Sequence, residues 1–404
     1  MNIGIGRHIL WTVLAGMIFL YSSCDNYSLL EKQEESFLKY YAVDIDDNTG
    51  TVVIQTTDGY AILSNFENVG GKDMILIITD QFGRQNPGYP VFFGTDRDDH
   101  GYSMIQVDNG YLISGSSTDA TRKHGYLANI SHDGTVLWDN VYSYYRDLEF
   151  RDACLTDDDL IITGYAKVDP GDMDAIIFKT SATGDSIWIR YYKMSDRNDV
   201  GEAIIETPGP PGRYHVITTS THSIHTQQSR IRMLNTNKDG KAETSTWIGK
   251  EIDYLSGKDI AVNVAGNMYI LGNYQDPISR EYRIFLAELE LTVDNQLTRL
   301  KDSATIYDPE SIYGASFTTV DDHALAIGGR QVKQNDYDIL FLQVDRNLQD
   351  PGVMIRKTYG STGYQASQNI IYTIDGGFAL TGSVDLAGRR TSMLLKIDSE
   401  GELR

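Results

Sequence analysis

The stretch Gly376–Gly382 reads GGFALTG: a turn, a bulky residue, three mostly apolar positions and a small residue. Self-similarity at a fixed period is the sequence signature of repeat architectures. This pattern occurs seven times in the chain, and its final residues follow one another at intervals of 49 to 56 positions. The seven copies end at Ser64, Gly115, Gly164, Thr218, Gly272, Gly328 and Gly382. The chain is therefore expected to contain seven equivalent units.

Each copy continues in the same way. A second apolar run ends in a turn, as in GYLANISHDG at 125–134, although copies five and six lack the turn glycine. A third strand ends in aromatic residues, as in VLWDNVYSYY at 136–145, and a fourth, such as EAIIET at 202–207, leads into the next copy. Four short strands in about 50 residues are typical of a propeller blade. We predict an all-β, seven-bladed β-propeller of four-stranded antiparallel blades over residues 37–404.

The two ends of the repeat region complement each other. The chain stops at Arg404, shortly after the third strand of the last copy, so this copy lacks an outer strand. The segment SFLKYYA at 36–42 belongs to no copy and is similar to the outer strand IWIRYYK at 187–193. We expect the N-terminal strand to complete the last blade, which would remove an open sheet edge. The small residue ending each copy is expected to allow neighbouring blades to approach closely.

These repeats resemble those of PQQ-like and related seven- or eight-bladed propellers, and those of propeller lipoproteins from Bacteroidota. The resemblance covers residues 37–404 and implies a fold, not an activity. Quinoprotein enzymes of this type carry a tryptophan docking pattern, whereas here Trp138, Trp188 and Trp247 mark only three of the blades. No quinone, and no other cofactor, is therefore expected.

Residues 1–23 have the features of a secretory signal. Arg7 precedes an uncharged, largely apolar run of 13 residues from Ile9 to Tyr21, which is too short to span a bilayer. The following sequence, LYSSC at 20–24, resembles a bacterial lipobox. This implies cleavage before Cys24, lipidation of Cys24, a polar tether over 24–36 and attachment to the outer membrane. The alternative is an ordinary signal peptide with an incidental cysteine.

Composition excludes several classes of protein. The 404 residues include 35 Lys and Arg against 56 Asp and Glu, a net charge of −21, which would repel nucleic acid and anionic lipid surfaces. Only two cysteines are present, so a disulfide scaffold is excluded. Cys154 lies in an apolar-alternating stretch and is expected to be a buried thiol, not a nucleophile.

Recurring charged residues mark the loops that lead from an outer strand to the next inner strand. An asymmetric binding rim, half charged and half aromatic, is one interpretation of this recurrence. The other is that each Asp caps a turn and pairs with the adjacent Arg, repeating because the blades share an ancestor. The candidate rim residues are Asp47, Asp98, Asp147, Asp199, Arg97, Arg146, Arg197, Tyr254 and Tyr364.

No motif identifies an enzyme. No P-loop, G-x-S-x-G, C-x-x-C or H-E-x-x-H is present. The pair His222 and His225 lacks the helical setting that would direct both rings at one ion, so no metal is expected. The sequence favours a lipid-anchored binding or scaffolding protein of the envelope that recognises a glycan, a peptide or a partner protein. The alternative is a polysaccharide hydrolase or lyase that uses rim carboxylates as acid and base.

Overall fold

The computed structural model describes residues 36–403, except 44–45, 69, 157–158, 169–170, 208–211, 226–227, 264–265, 292–297, 322, 335 and 350–351. The predicted fold is confirmed: the described elements are β-strands, arranged as seven four-stranded antiparallel sheets in a ring. The predicted signal peptide, Cys24 and the tether up to residue 35 lie outside the described residues. None of the described residues belongs to an apolar helix of bilayer-spanning length.

Each sheet is one blade, and its strands follow one another from the channel outwards. β1 is Phe37–Tyr41. Blade 1 comprises β2 (Asp47–Gln55), β3 (Gly59–Asn68), β4 (Gly71–Asp80) and β5 (Val91–Phe93). Blade 2 comprises β6 (Asp98–Val107), β7 (Gly110–Thr118), β8 (Lys123–Ser131) and β9 (Val136–Tyr142). Blade 3 comprises β10 (Asp147–Leu155), β11 (Asp159–Lys167), β12 (Asp174–Ser181) and β13 (Ser186–Tyr192).

The remaining blades continue this order. Blade 4 comprises β14 (Arg197–Thr207), β15 (Arg213–His222), β16 (Ser229–Asn237) and β17 (Ala242–Ile248). Blade 5 comprises β18 (Leu255–Val262), β19 (Met268–Gln275), β20 (Tyr282–Leu291) and β21 (Thr298–Ile306). Blade 6 comprises β22 (Ser311–Thr319), β23 (Ala324–Lys333), β24 (Asp336–Asp345) and β25 (Val353–Tyr359). Blade 7 comprises β26 (Gln365–Tyr372), β27 (Phe378–Leu386), β28 (Arg389–Ile397) and, at its outer edge, β1.

The N-terminal strand lies beside the C-terminal one. β1 pairs antiparallel with β28, with Phe37 opposite Lys396 and Tyr41 opposite Ser392. Blade 1 packs against blade 7 on the other side, where the Ser392 amide donates to Asn48 Oδ1 at 2.7 Å. A single sheet thus contains the first and last strands of the propeller.

The burial of a strand depends on its place in the blade. The middle strands β7 and β8 are buried along almost their whole length, because both sheet faces contact neighbouring blades. In the outer strand β9, exposed residues alternate with partly buried ones, and one face of the strand is mostly exposed. The repeat pattern in the sequence therefore records the second strand of each blade, which packs between neighbouring blades.

Every inner strand contains a β-bulge at the same register. In blade 2 the bulge follows Gly101, and a side chain at the facing Gly115 would place its Cβ 2.1 Å from the His100 carbonyl oxygen. Gly164 has the same relationship to Glu149, at 1.9 Å. The expectation that this glycine accommodates a neighbouring blade is wrong at these two positions, because the close contact is with the bulged strand of the same sheet. The bulges follow Gly50, Gly101, Phe150, Gly201, Gly257, Gly314 and Ser367.

Below the bulges, polar side chains join neighbouring inner strands around the channel. Asp152 Oδ2 accepts the Ile204 amide at 2.9 Å, and Asp259 Oδ2 accepts the Phe317 amide at 3.2 Å. In blade 7, Asn369 Oδ1 accepts the Val53 amide at 3.1 Å in the same manner. A carboxylate and an amide can therefore fill the same position. We call the three residues Asp152, Asp259 and Asn369 the central girdle.

Candidate functional site

The predicted rim carboxylates lie where the inner strands begin, at the end of the ring that we call the mouth. Asp47, Asp98 and Asp147 occupy one register position, three residues before the bulge. Each Oδ1 accepts a backbone amide from the third strand of the preceding blade. These bonds run from Arg390 N to Asp47 at 2.9 Å, from Lys72 N to Asp98 at 3.1 Å and from Lys123 N to Asp147 at 3.1 Å.

Asp199 does not belong to this set. The bulge register places Asn198 at the equivalent position, where its Oδ1 accepts the Met173 amide at 2.9 Å. Asp199 instead corresponds to Asp99 and is fully buried, which raises its pKa to about 6. The sequence grouped Asp199 with the other three acids because its loop is similar, but the bulge register of β14 places Asn198 at the shared position.

The three predicted rim arginines make different contacts. In the described residues, none forms an ion pair within 4.0 Å with its neighbouring rim Asp. Arg97 lies 4.0 Å from the exposed Asp96. Arg197 is buried, donates to the Ser220 carbonyl at 3.2 Å and lies 5.7 Å from the centre of the Trp247 ring. The Arg146 amide donates to the Lys167 carbonyl at 3.0 Å.

The two predicted rim tyrosines lie in the aromatic half. Arg280 stands 5.5 Å from the centre of the Tyr254 ring. Tyr364 is more central, since Arg390 packs 4.5 Å from its ring centre and Arg330 Nη1 donates to its hydroxyl oxygen at 3.2 Å. The structure therefore brings Tyr364 into a cluster with two arginines, and of the rim Asp residues it places Asp47 near Arg390.

Tyr364 is the end of a longer arrangement across blades 5 to 7. Tyr282 and Tyr313 stack at 4.2 Å with an angle of 28° between their rings. The Arg330 guanidinium lies 4.4 Å from the Tyr313 ring centre and reaches Tyr364. We call Tyr282, Tyr313, Arg330, Tyr364 and Arg390 the Tyr–Arg stack. Its planar groups hold one another in place with little freedom of rotation.

Two cavities open beside the stack. The first, of about 360 Å³, is lined by residues of blades 5 to 7 that include Lys258, Tyr282, Tyr313 and Arg330. The second, of about 380 Å³, lies between blades 7, 1 and 2, with His100, Tyr102 and Arg390 in its wall. Gln368 lines both cavities. The two spaces therefore adjoin across one side chain of the innermost strand of blade 7.

Where blades 2 to 4 meet at the mouth, the charged side chains form ion pairs with one another. Glu149 is buried between Lys123 and Arg151, and Arg151 Nη1 also bonds Glu202 Oε2 at 2.8 Å. Burial would raise the pKa of Glu149, but Arg151 and Lys123 together hold it below its ordinary value. Glu149 is consequently ionised at neutral pH and is no proton donor.

His100 and Tyr102 form a neutral pair between these two regions. Their ring centres are 4.4 Å apart, and Asn65 Nδ2 lies 3.3 Å from His100 Nε2. Burial lowers the pKa of His100 to about 4 and raises the pKa of Tyr102 to about 12. At neutral pH the imidazole can therefore accept a proton and the phenol can donate one.

No cation site emerges from the described residues. No three of their His, Cys, Asp and Glu side chains are grouped closely enough to hold a metal ion. His222 Nδ1 lies 3.1 Å from the Ile224 amide and 3.2 Å from that of His225, so this nitrogen serves the loop backbone. Burial raises the pKa of the Cys154 thiol to about 12, which suits a packing role.

Sequence reasoning did not identify the residues that line the mouth. Glu149, Arg151, Lys258, Tyr313 and Gln368 all flank the bulges of inner strands. Two of them, Lys258 and Tyr313, were marked in the sequence by an adjacent glycine, whereas the others were not. The register that brings them together depends on the pairing of strands, which the sequence does not display directly.

Comparisons with known proteins support the fold. No family model and no curated protein matches the chain. Among solved structures, a PL25 ulvan lyase is 11% identical, covers 91% of this chain and 97% of its own, and superposes with a TM-score of 0.58. The same lyase bound to -[GlcA(1-4)Rha3S]- gives 10% identity, the same coverage and the same TM-score. At such identities the similarity establishes the propeller fold alone.

Proposed function

We propose that this protein is a lipid-anchored component of the bacterial outer membrane that binds a glycan in the mouth of the propeller. The observation that carries the proposal is the Tyr–Arg stack, which presents Tyr282 and Tyr313 to a cavity of about 360 Å³. Saccharides are bound by aromatic side chains together with a few fixed polar groups, and Lys258 and Gln368 supply such groups here. An extended polymer could continue past Gln368 into the second cavity.

The fold is compatible with this role. Propellers with the same arrangement include polysaccharide lyases, and one of these is solved with a bound saccharide. The rim carboxylates Asp47, Asp98 and Asp147 are engaged with backbone amides, so we do not assign them acid–base roles. Binding through the stack therefore accounts for the geometry without catalysis.

Glycan-array binding of Tyr282→Ala and wild type tests the proposal. Removal of the stacking ring should weaken the strongest array signals at least tenfold, about 1.4 kcal/mol. Tyr307→Ala is the matched control, because Tyr307 lies between β21 and β22 and is 77% exposed outside the stack. A blank array for the wild type, or equal signals for Tyr282→Ala, would contradict glycan binding at this site.

The anchor is tested separately. Cys24→Ala should abolish incorporation of a fatty-acid analogue and release the protein from membranes, because only the cysteine thiol can carry the lipid. An unlabelled wild-type protein would remove the anchor from the proposal and leave glycan binding unaffected.

A lyase is the second candidate, and one observation favours it. The neutral His100 and Tyr102 lie side by side in the wall of the second cavity, with the Arg151 guanidinium 5.8 Å from the Tyr102 ring centre. A base, an acid and a cation are what β-elimination at a uronic acid requires. Incubation with polyuronates should then produce unsaturated, ultraviolet-absorbing ends, and His100→Ala should abolish them. Absence of these products with every polyuronate tested would leave binding as the function.

A further inference from the structure

The first cavity and its neighbour contain cations without acidic partners. Lys258 and Arg330 line the first cavity and Arg390 lines the second. In the part of the chain that the structure describes, no carboxylate oxygen lies within the ion-pair distance of 4.0 Å from any of the three. The cations of blades 2 and 3 at the same mouth, Lys123 and Arg151, are by contrast bound to carboxylates.

This distribution is unexpected for a chain of net charge −21, in which acids outnumber bases by 56 to 35. Carboxylates are abundant, and Asp47 and Glu67 line the second cavity. None of the described carboxylates lies within ion-pair distance of Lys258, Arg330 or Arg390. Low-dielectric cavity walls strengthen the local field of these cations. These three cations are therefore suited to bind a negatively charged group, although the molecule as a whole is acidic.

Arg330 is held rigidly. Tyr313 covers one face of its guanidinium at 4.4 Å, and its Nη1 donates to the Tyr364 hydroxyl oxygen. Its Nε is buried and has no hydrogen-bond partner within the protein. A guanidinium fixed in this way loses little further freedom when it binds a planar or tetrahedral anion.

We infer that the glycan bound at the mouth is acidic, and that its carboxylate or sulfate groups bind Lys258, Arg330 and Arg390. Both groups accept charge-assisted hydrogen bonds from guanidinium and ammonium ions, so the structure assigns the shared chemistry of an anionic saccharide. This inference rests on the proposed function and specifies its ligand class. Gln368, which borders both cavities, would lie beneath a chain that extends from Lys258 to Arg390.

Affinity electrophoresis through gels containing one polymer in three forms tests the inference. The probes are dextran, carboxymethyl-dextran and dextran sulfate, which share a backbone and differ in charge. Wild type is compared with Lys258→Gln, which changes an exposed side chain, and with Arg330→Gln. Arg122→Gln is the control, because Arg122 is an exposed cation at the same end of the ring in blade 2.

The wild type should be retarded at least tenfold more strongly by a charged polymer than by dextran. Comparison of carboxymethyl-dextran with dextran sulfate then shows whether the site prefers carboxylate or sulfate groups. Lys258→Gln and Arg330→Gln should each weaken this retardation about tenfold, while Arg122→Gln should behave as the wild type. Equal retardation by all three polymers would overturn the acidic ligand and leave glycan binding intact. Retardation by a charged form that is equal in wild type, Lys258→Gln and Arg330→Gln would overturn the assigned residues.

A second measurement, the effect of inorganic sulfate on the melting temperature, distinguishes failure of glycan binding from failure of the anion site. Inorganic sulfate should raise the melting temperature of the wild type but not of Lys258→Gln, whether or not any polymer binds. A sulfate effect without any polymer binding would contradict the glycan and retain the anion site. No sulfate effect on the wild type would overturn the anion site.

Discussion

The Tyr41 hydroxyl donates a hydrogen bond of 2.9 Å to the carbonyl oxygen of Gly83, and so fastens the outer strand of blade 7 to a turn of blade 1. The glycine has a φ of 69°, which favours glycine over other residues, and a Cβ there would lie 2.4 Å from the Phe37 ring. The same tyrosine–glycine contact recurs at three other blade junctions. These are Tyr142 to Gly184, Tyr192 to Gly240 and Tyr359 to Gly401.

The contact accounts for two features of the sequence, namely which outer strands end in tyrosine and which turns contain the glycine. The outer strands of blades 4 and 5 end in Ile248 and Ile306 instead of tyrosine, and copies five and six are the two whose sequence lacks the turn glycine. Phe93 packs at the equivalent position of blade 1 without a hydroxyl. Part of the high tyrosine content, 26 residues, thus connects neighbouring blades.

Tyr192→Phe should lower the free energy of unfolding by about 1 kcal/mol, the usual net value of one hydrogen bond. The ring would still pack as Phe93 does, so only the bond to Gly240 is lost. Urea denaturation followed by fluorescence measures the change, with the exposed Tyr307→Phe as control. A midpoint for Tyr192→Phe equal to that of the control would show that the bond does not stabilise the fold.

Deletion of residues 37–42 should cost several kcal/mol or cause aggregation. It would expose the edge of β28 and also remove the Tyr41 contact to blade 1. Thermal unfolding and light scattering of the truncated protein provide the test. An unchanged melting temperature would contradict the stabilising role of β1.

The raised pKa of the Asp152 carboxyl predicts a pH dependence of stability. Burial raises its pKa to about 6, above that of the unfolded chain, so its contribution is fully present below about pH 4 and is lost as the pH rises to about 6. Asp152→Asn should remove this loss, because Asn369 shows that an amide fits the girdle. We expect a gain of about 3 kcal/mol at pH 7.5 and almost none at pH 4.

Urea unfolding at both pH values measures this difference, and Asp152→Ala is the contrasting variant. It should be destabilised at both pH values, since the Ile204 amide loses its acceptor. A stability difference between Asp152→Asn and wild type that is the same at pH 4 and pH 7.5 would contradict the raised pKa.

The rim carboxylates should tolerate conversion to amides. The triple change Asp47→Asn, Asp98→Asn and Asp147→Asn should leave the melting temperature and the glycan-array profile almost unchanged, because Asn198 already accepts an amide hydrogen bond at this position. The corresponding alanine variants should each lose about 1 kcal/mol. A changed glycan profile in the asparagine variant, at equal stability, would return these residues to the binding site.

The fold was predictable because its signal is local and repeated. GGFALTG and its six relatives report a buried second strand, and the unmatched SFLKYYA segment indicated where β1 would lie. The site was not predictable in the same way, because it depends on contacts between blades. Asp199 was grouped with the other rim acids from the likeness of its loop, but the strand register separates it from them. Arg330 and Tyr364 lie 34 positions apart although their side chains bond.

The central claim is that ligand binds at the mouth between blades 5 and 7. Hydrogen exchange of the backbone amides, measured with and without a saturating glycan selected from the array, tests it most directly. We expect slower exchange around Lys258, Tyr313 and Gln368, and unchanged exchange at the opposite end of the ring, for example around Asp133 and Asp185. Protection confined to that opposite end, or to the rim strands that begin at Asp98 and Asp147, would contradict the claim.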